Sequence, residues 1–93
     1  MEFEWDDEKA ELNLEKHGVD FNEAATDSDD LFNVDFYDSK HSAEEHRFLI
    51  FGESNLQRPL IVSYVERDDK IRIISARELT PQERRNYEYG KFE

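Results

Sequence analysis

Cysteine is absent from the 93 residues, which excludes disulfides and thiolate zinc sites and suits a reducing cytosol. Long apolar runs are also missing: none approaches the roughly 20 residues of a membrane span. The N-terminal stretch MEFEWDDEKAEL lacks the basic and apolar regions of a secretory signal. Together these absences predict a cytoplasmic protein with no membrane partner. Glycine numbers 3 and proline 2, and no repeat, low-complexity tract or linker interrupts the chain, so residues 1–93 read as a single domain. Positive charge is scarce too. Twelve Lys and Arg face 24 Asp and Glu, a net charge of −12. This argues against broad nonspecific nucleic-acid binding and predicts attraction to a basic partner.

What is present is unevenly placed. Residues 1–46 hold 16 acids and 3 bases, whereas residues 47–93 hold 8 acids and 9 bases. Within Glu66–Tyr87, five arginines (Arg67, Arg72, Arg77, Arg84 and Arg85) recur. Arginines gathered in an acidic protein point to an anionic ligand, with phosphate the leading candidate. Seven Phe, four Tyr and one Trp compensate for a modest apolar fraction by giving each core position a large side chain.

Phe3 and Trp5 alternate with Glu2 and Glu4 as a short strand. Asp6 or Asp7 then caps a helix to about His17, with Ala10, Leu14 and His17 on one face and Gly18 as the C-terminal stop. Phe21, Ala24 and Ala25 suggest a further helical turn before the polar run 26–30. Strands follow over 32–37, 47–53, 60–67 and 70–78, the last two forming a hairpin about Asp68-Asp69. Thr80-Pro81-Gln82-Glu83 is a capping box with proline at the first helical position, and predicts a helix to about Tyr89 ended by Gly90. The expectation is an α+β fold: an antiparallel sheet of about four strands with N-terminal helices and a C-terminal helix.

An ordered set of residues resembles the BrnT family of bacterial type II toxins. It comprises Phe3-x-Trp5-Asp6, Lys9, Asn13 and Lys16-His17-Gly18-Val19-x-Phe21-x-Glu23-Ala24, then Phe36-Tyr37-Asp38 and Arg47-Phe48 leading to Gly52. It closes with Glu66-Arg67, Ile71 through Arg77, and Glu83-Arg84-Arg85 before Tyr87. The resemblance implies a RelE-like fold and a ribonuclease that arrests growth. It further implies a BrnA-like antitoxin with a ribbon-helix-helix DNA-binding domain, a heterotetramer with that antitoxin, and contact with DNA only through it. The alternative is a catalytically weak binding module that acts with its antitoxin in repressing its own operon. Acidity favours that alternative; the clustered arginines favour the enzyme.

Metal-independent RNA cleavage needs a base for the 2′-OH proton, an acid for the 5′-oxygen, and fixed positive charge at the phosphorane. Arg72 and Arg77 are candidates for the charge. Five positions apart, they point to opposite faces of a regular strand, unless a bulge, bend or strand end near Ser75 unites them. Otherwise they pair with Glu66, Glu78 or Glu83. Their alanine variants are each expected to lose most activity while staying folded. His17 serves either as general acid or base or as a favourable cation at a helix C-terminus. Glu66 is a candidate base, or an ion-pair partner of Arg67 or Arg72. Lys9, Arg67, Arg84 and Tyr87 are candidate RNA contacts, the last two as an i, i+3 pair flanking a nucleotide or simply packing the final helix. Asp38, His41, Glu44, Glu45 and His46 lack the spacing of a zinc site and read as a polar loop, so neither metal nor cofactor is expected.

Overall fold

The computed structural model describes residues 2–88. Its elements run β1 (Glu2–Glu4), α1 (Asp7–His17), α2 (Phe21–Ala25), β2 (Val34–Tyr37), β3 (Arg47–Glu53), β4 (Pro59–Arg67), β5 (Lys70–Glu78) and α3 (Pro81–Glu88), with 3₁₀ turns at Thr26–Asp29 and Ser39–His41. The sheet order is β1-β5-β4-β3-β2. Strands β2 to β5 pair antiparallel, as expected, but β1 runs parallel to β5, with Phe3 beside Ile71. The sheet is therefore mixed and has five strands. Helices α1 and α2 cover one face, where Val19, Phe21, Ala24, Leu60, Val62, Ile73 and Ala76 form the main core. Among the described residues no helix is long and apolar enough to cross a membrane.

Local chemistry explains the boundaries. Asp6 caps α1 by accepting from the backbone of Glu8 and Lys9, a contribution of about 1 kcal/mol. Gly18 ends it at φ 69°, where a Cβ would be strained. The β4–β5 turn places Asp68 and Asp69 at φ 49° and 65°, the left-handed pair that a two-residue hairpin needs. The strand expected from residue 32 begins only at Val34. Asp30 accepts from the Phe32 amide through its side chain and from the Asn33 amide through its carbonyl, closing a turn there. Leu31 and Phe32 are left 94% and 81% exposed. The capping box forms as read, with Glu83 N donating to Thr80 Oγ1 and Thr80 N to Glu83 Oε1. The expected stop at Tyr89 and Gly90 lies outside the described residues.

One joint between helix and sheet differs from the sequence pattern. The buried position of α1 is Asn13 rather than Leu14, which is exposed. Strand β1 pairs with β5 only over residues 70–72, so the outer edge of β5 at Ala76 has no strand beside it. Asn13 fills that gap: its Nδ2 donates to Ala76 O (2.8 Å) and Val19 O (3.0 Å), and its Oδ1 accepts from Ala76 N (3.1 Å). A buried backbone edge needs such a partner, and an amide supplies both donor and acceptor.

Candidate functional site

The sheet face opposite α1 and α2 carries the cations. Its composition turns on an irregularity in β5: Ser63 pairs with Ser75 but Tyr64 pairs with Ile73, so Ile74 is an extra residue in the ladder. Such a bulge shifts the side-chain alternation by one. Ile71, Ile73 and Ala76 consequently share the helix-covered face, while Arg72, Ser75 and Arg77 share the open one. The simple alternation that pairs Arg77 with Ile71 and Ile73 does not hold. By register, Arg47 on β3 and Arg67 on β4 join the same open face.

A cleft of about 460 Å³ opens on this face. Its floor is Leu49, Phe51, Ile61, Ser63 and Ser75, and its walls carry His17, Lys40, His41, Arg47 and Arg77 with the acids Asp38 and Glu83. His17 reaches it because Asn13 fixes the last turns of α1 against Ala76. Arg77 is held from the other side by α3: its Nη1 and Nη2 donate to Glu83 Oε1 and Oε2 at 2.8 and 3.1 Å. The Arg77 guanidinium, with the Thr80 backbone, lowers the Glu83 carboxyl to about 2. One carboxylate thus caps α3 and orients the arginine.

The other sequence candidates are distributed unequally. Lys9 and His17 line a smaller groove of about 220 Å³ with Asn13, Lys16 and Ser75, as their shared helical face implies. Arg72 lies on the open face toward the hairpin end, where its Nη1 donates to Glu4 Oε2 at 3.0 Å. Arg67 is farther along, held by Glu45 through bonds of 2.6 and 2.7 Å. Glu66 falls on the helix-covered side by register and lines the hairpin tip with Arg67 and Lys70, apart from the main cleft. Arg84 pairs with Glu88 on the exposed side of α3. Tyr87 instead docks that helix, its hydroxyl donating to Asp30 Oδ2 at 3.1 Å. Burial, then the nearby Asp30 charge, pushes the phenol up to about 12.

Sequence reasoning did not assign Arg47, Lys40, His41, Asp38, Ser63 or Ser75 to the site. Arg47 carries a faint signal, since it alternates with Leu49 and Phe51 along β3. Ser63 and Ser75 are small polar residues within β4 and β5, paired with each other across the ladder. Asp38, Lys40 and His41 come from a connection with no periodicity, folded back by Asp38 N donating to Arg47 O and Ser42 Oγ donating to Asp38 O. Among the described residues no three His, Asp or Glu side chains converge as a metal site. The cleft offers cations and imidazoles over an apolar floor, a combination suited to gripping and protonating a phosphodiester.

Comparison with known proteins gives this geometry a relative. The family model described as "Ribonuclease toxin, BrnT, of type II toxin-antitoxin system" matches residues 5–83. The crystal structure of the Brucella abortus ribonuclease toxin BrnT superimposes with a TM-score of 0.67 at 25% sequence identity, covering 86% of this chain and 97% of that one. A search of curated proteins gave no match.

Proposed function

Because the chain belongs to the BrnT family of ribonuclease toxins of type II toxin–antitoxin systems, we propose that its open sheet face cleaves RNA without a metal ion. The observation that supports this most directly is the convergence of Arg77, Arg47, Lys40 and two imidazoles on one cleft. In the proposed reaction the RNA 2′-oxygen attacks phosphorus and the P–O5′ bond breaks. The 2′-OH proton passes to a base, and a proton from an acid goes to O5′. The products are a 2′,3′-cyclic phosphate and a 5′-hydroxyl. Arg77 and Arg47 neutralise the equatorial oxygens, a role that a guanidinium fork fills while staying charged. His17 stands at the cleft wall as the acid, at the end of α1 where a cation is electrostatically favoured. Arg72, Arg67 and Lys9 extend the positive track outward to flanking phosphates.

Growth arrest, action in the cytoplasm over residues 1–93 as one domain, and neutralisation by a BrnA-like antitoxin complete the proposal. A heterotetramer with that antitoxin, and DNA contact only through its ribbon-helix-helix domain, belong to it as well. One observation favours a second reading, that of a weak enzyme serving chiefly in the repressing complex. Arg77, Arg72 and Arg67 each already hold a carboxylate, from Glu83, Glu4 and Glu45. The Arg67 pair is exposed and the other two are part-buried; pairs in contact with solvent are worth about 0–1 kcal/mol, so a phosphate can displace them at modest cost.

The test is cleavage of a structured RNA in EDTA by purified protein. Arg77→Ala should lower the rate about 100- to 1,000-fold with the melting temperature unchanged. Arg72→Ala should lose activity as well, mainly through weaker RNA binding. An inert wild-type protein at several salt concentrations would favour the repressing complex instead.

A further inference from the structure

We infer that His41, oriented by Asp38, is the general base of the cleft and the catalytic partner of His17. The inference rests on the ribonuclease reading above and names the group that takes the 2′-OH proton. His41 Nδ1 lies 2.8 Å from Asp38 Oδ2. A carboxylate only accepts hydrogen bonds, so this contact puts the ring proton on Nδ1 and leaves the Nε2 lone pair for the substrate. The two side chains differ sharply in exposure, 64% for His41 and 11% for Asp38. That is the arrangement of a working imidazole held by a sheltered anchor.

The anchor is itself fixed. Asp38 N donates to Arg47 O at 2.8 Å, Ser42 Oγ donates to Asp38 O at 2.6 Å, and Arg47 N donates to Ser42 Oγ at 2.9 Å. The loop carrying the pair is thereby tied to the strand that carries Arg47. His41 and His17 come from different elements, yet both line the one cleft that also holds Arg47 and Arg77. Two imidazoles in one cleft provide separate sites for removing the 2′-OH proton and for protonating O5′. His46 provides an internal control. Its Nδ1 lies 3.0 Å from the Tyr37 hydroxyl, and it does not line the cleft.

The experiment follows cleavage of an RNA oligonucleotide in EDTA across pH by wild type, Arg77→Ala, His41→Ala, His41→Gln, Asp38→Asn and His46→Ala, with melting temperatures measured for all. Either His41 variant should lower kcat by about 100-fold or more and remove the acidic limb of the pH–rate profile. Added imidazole should restore part of the His41→Ala rate. Asp38→Asn should lower kcat about tenfold with KM unchanged, as expected of a positioning residue, and His46→Ala should behave as wild type. If Arg77→Ala loses cleavage while both His41 variants keep the wild-type rate and both limbs, the base assignment falls and the ribonuclease reading stands. Loss of rate in the His41 variants with the acidic limb intact and no imidazole rescue also overturns the proton-transfer role. A wild-type protein that leaves the RNA whole overturns both.

Discussion

Charge is handled in opposite ways on the open sheet face and in the turn that leads from α2 to β2. On the open face each of four cations meets a carboxylate from a neighbouring element: Arg67 meets Glu45, Lys70 meets Glu2, Arg72 meets Glu4 and Arg77 meets Glu83. These pairs are partly solvated and exchangeable, as a surface that trades its partners for phosphate requires. In the turn, acid lies against acid. Asp27 is fully buried, and neither of its carboxylate oxygens has a hydrogen-bond partner. Burial, reinforced by Asp30 and then Glu23, pushes its carboxyl up to about 8. A third arrangement lies between them. Buried Glu23 is paired with Arg58 and accepts from Ser54 Oγ, and that pairing lowers its carboxyl. The difference shows that position in the fold, rather than the overall acidic composition, decides which carboxylates are stabilising.

The largest expected effect lies at the joint between α1 and the β5 edge, beside the open face. Asn13→Ala leaves a buried N–H and C=O on Ala76 without partners and should cost about 3 kcal/mol in denaturant unfolding. Because the same joint fixes His17, cleavage should fall even at temperatures where the variant stays folded. A cost below about 1 kcal/mol would mean that the β5 edge is satisfied in another way.

Asp27→Asn sharpens the other side. A carboxyl raised in the folded state stabilises most below its unfolded value of 3.8, and that contribution fades as pH climbs toward about 8. Between those limits the native state holds a proton that the unfolded chain has released, so stability falls by roughly 1.4 kcal/mol per pH unit from this group. Relative to Asp27→Asn, the wild-type protein should therefore lose ground steadily from pH 4 to pH 8. Parallel stability curves for the two proteins would show that Asp27 finds a counter-charge.

The smallest effect concerns association. With 16 acids and 3 bases in residues 1–46, a basic antitoxin should be steered to the acidic half. Its association rate should drop about tenfold between 50 and 500 mM salt. A flat response would place recognition on apolar contacts such as the protruding Leu31 and Phe32.

Much of the fold was legible from short-range signals, because capping, turn chemistry and alternation act within a few residues. The caps at Asp6 and Thr80, the stop at Gly18 and the Asp68-Asp69 hairpin all appear where the pattern puts them. The parallel pairing of β1 was not legible, since it joins Phe3 to Ile71 across the length of the chain. The exposure of Leu14 and the burial of Asn13 were not legible either, because periodicity sees hydrophobicity and cannot see that an uncovered strand edge calls for an amide. The candidate site divides along the same line. Arg72 and Arg77 stand out as arginines in a strand, but the Ile74 bulge that puts them on one face depends on the pairing with β4.

The sequence by itself determined the element order, the capped ends, the charge imbalance between the halves and the family to which these residues belong. Those are properties of neighbours in the chain, whose interactions survive in any context. Tertiary structure alone decided which arginines share a face, which carboxylates hold them, that Asp27 is buried unpaired, and that Asp38 and His41 stand over the same cleft as His17. Each of these depends on residues far apart in sequence, and only the packed sheet sets the distance and dielectric between them.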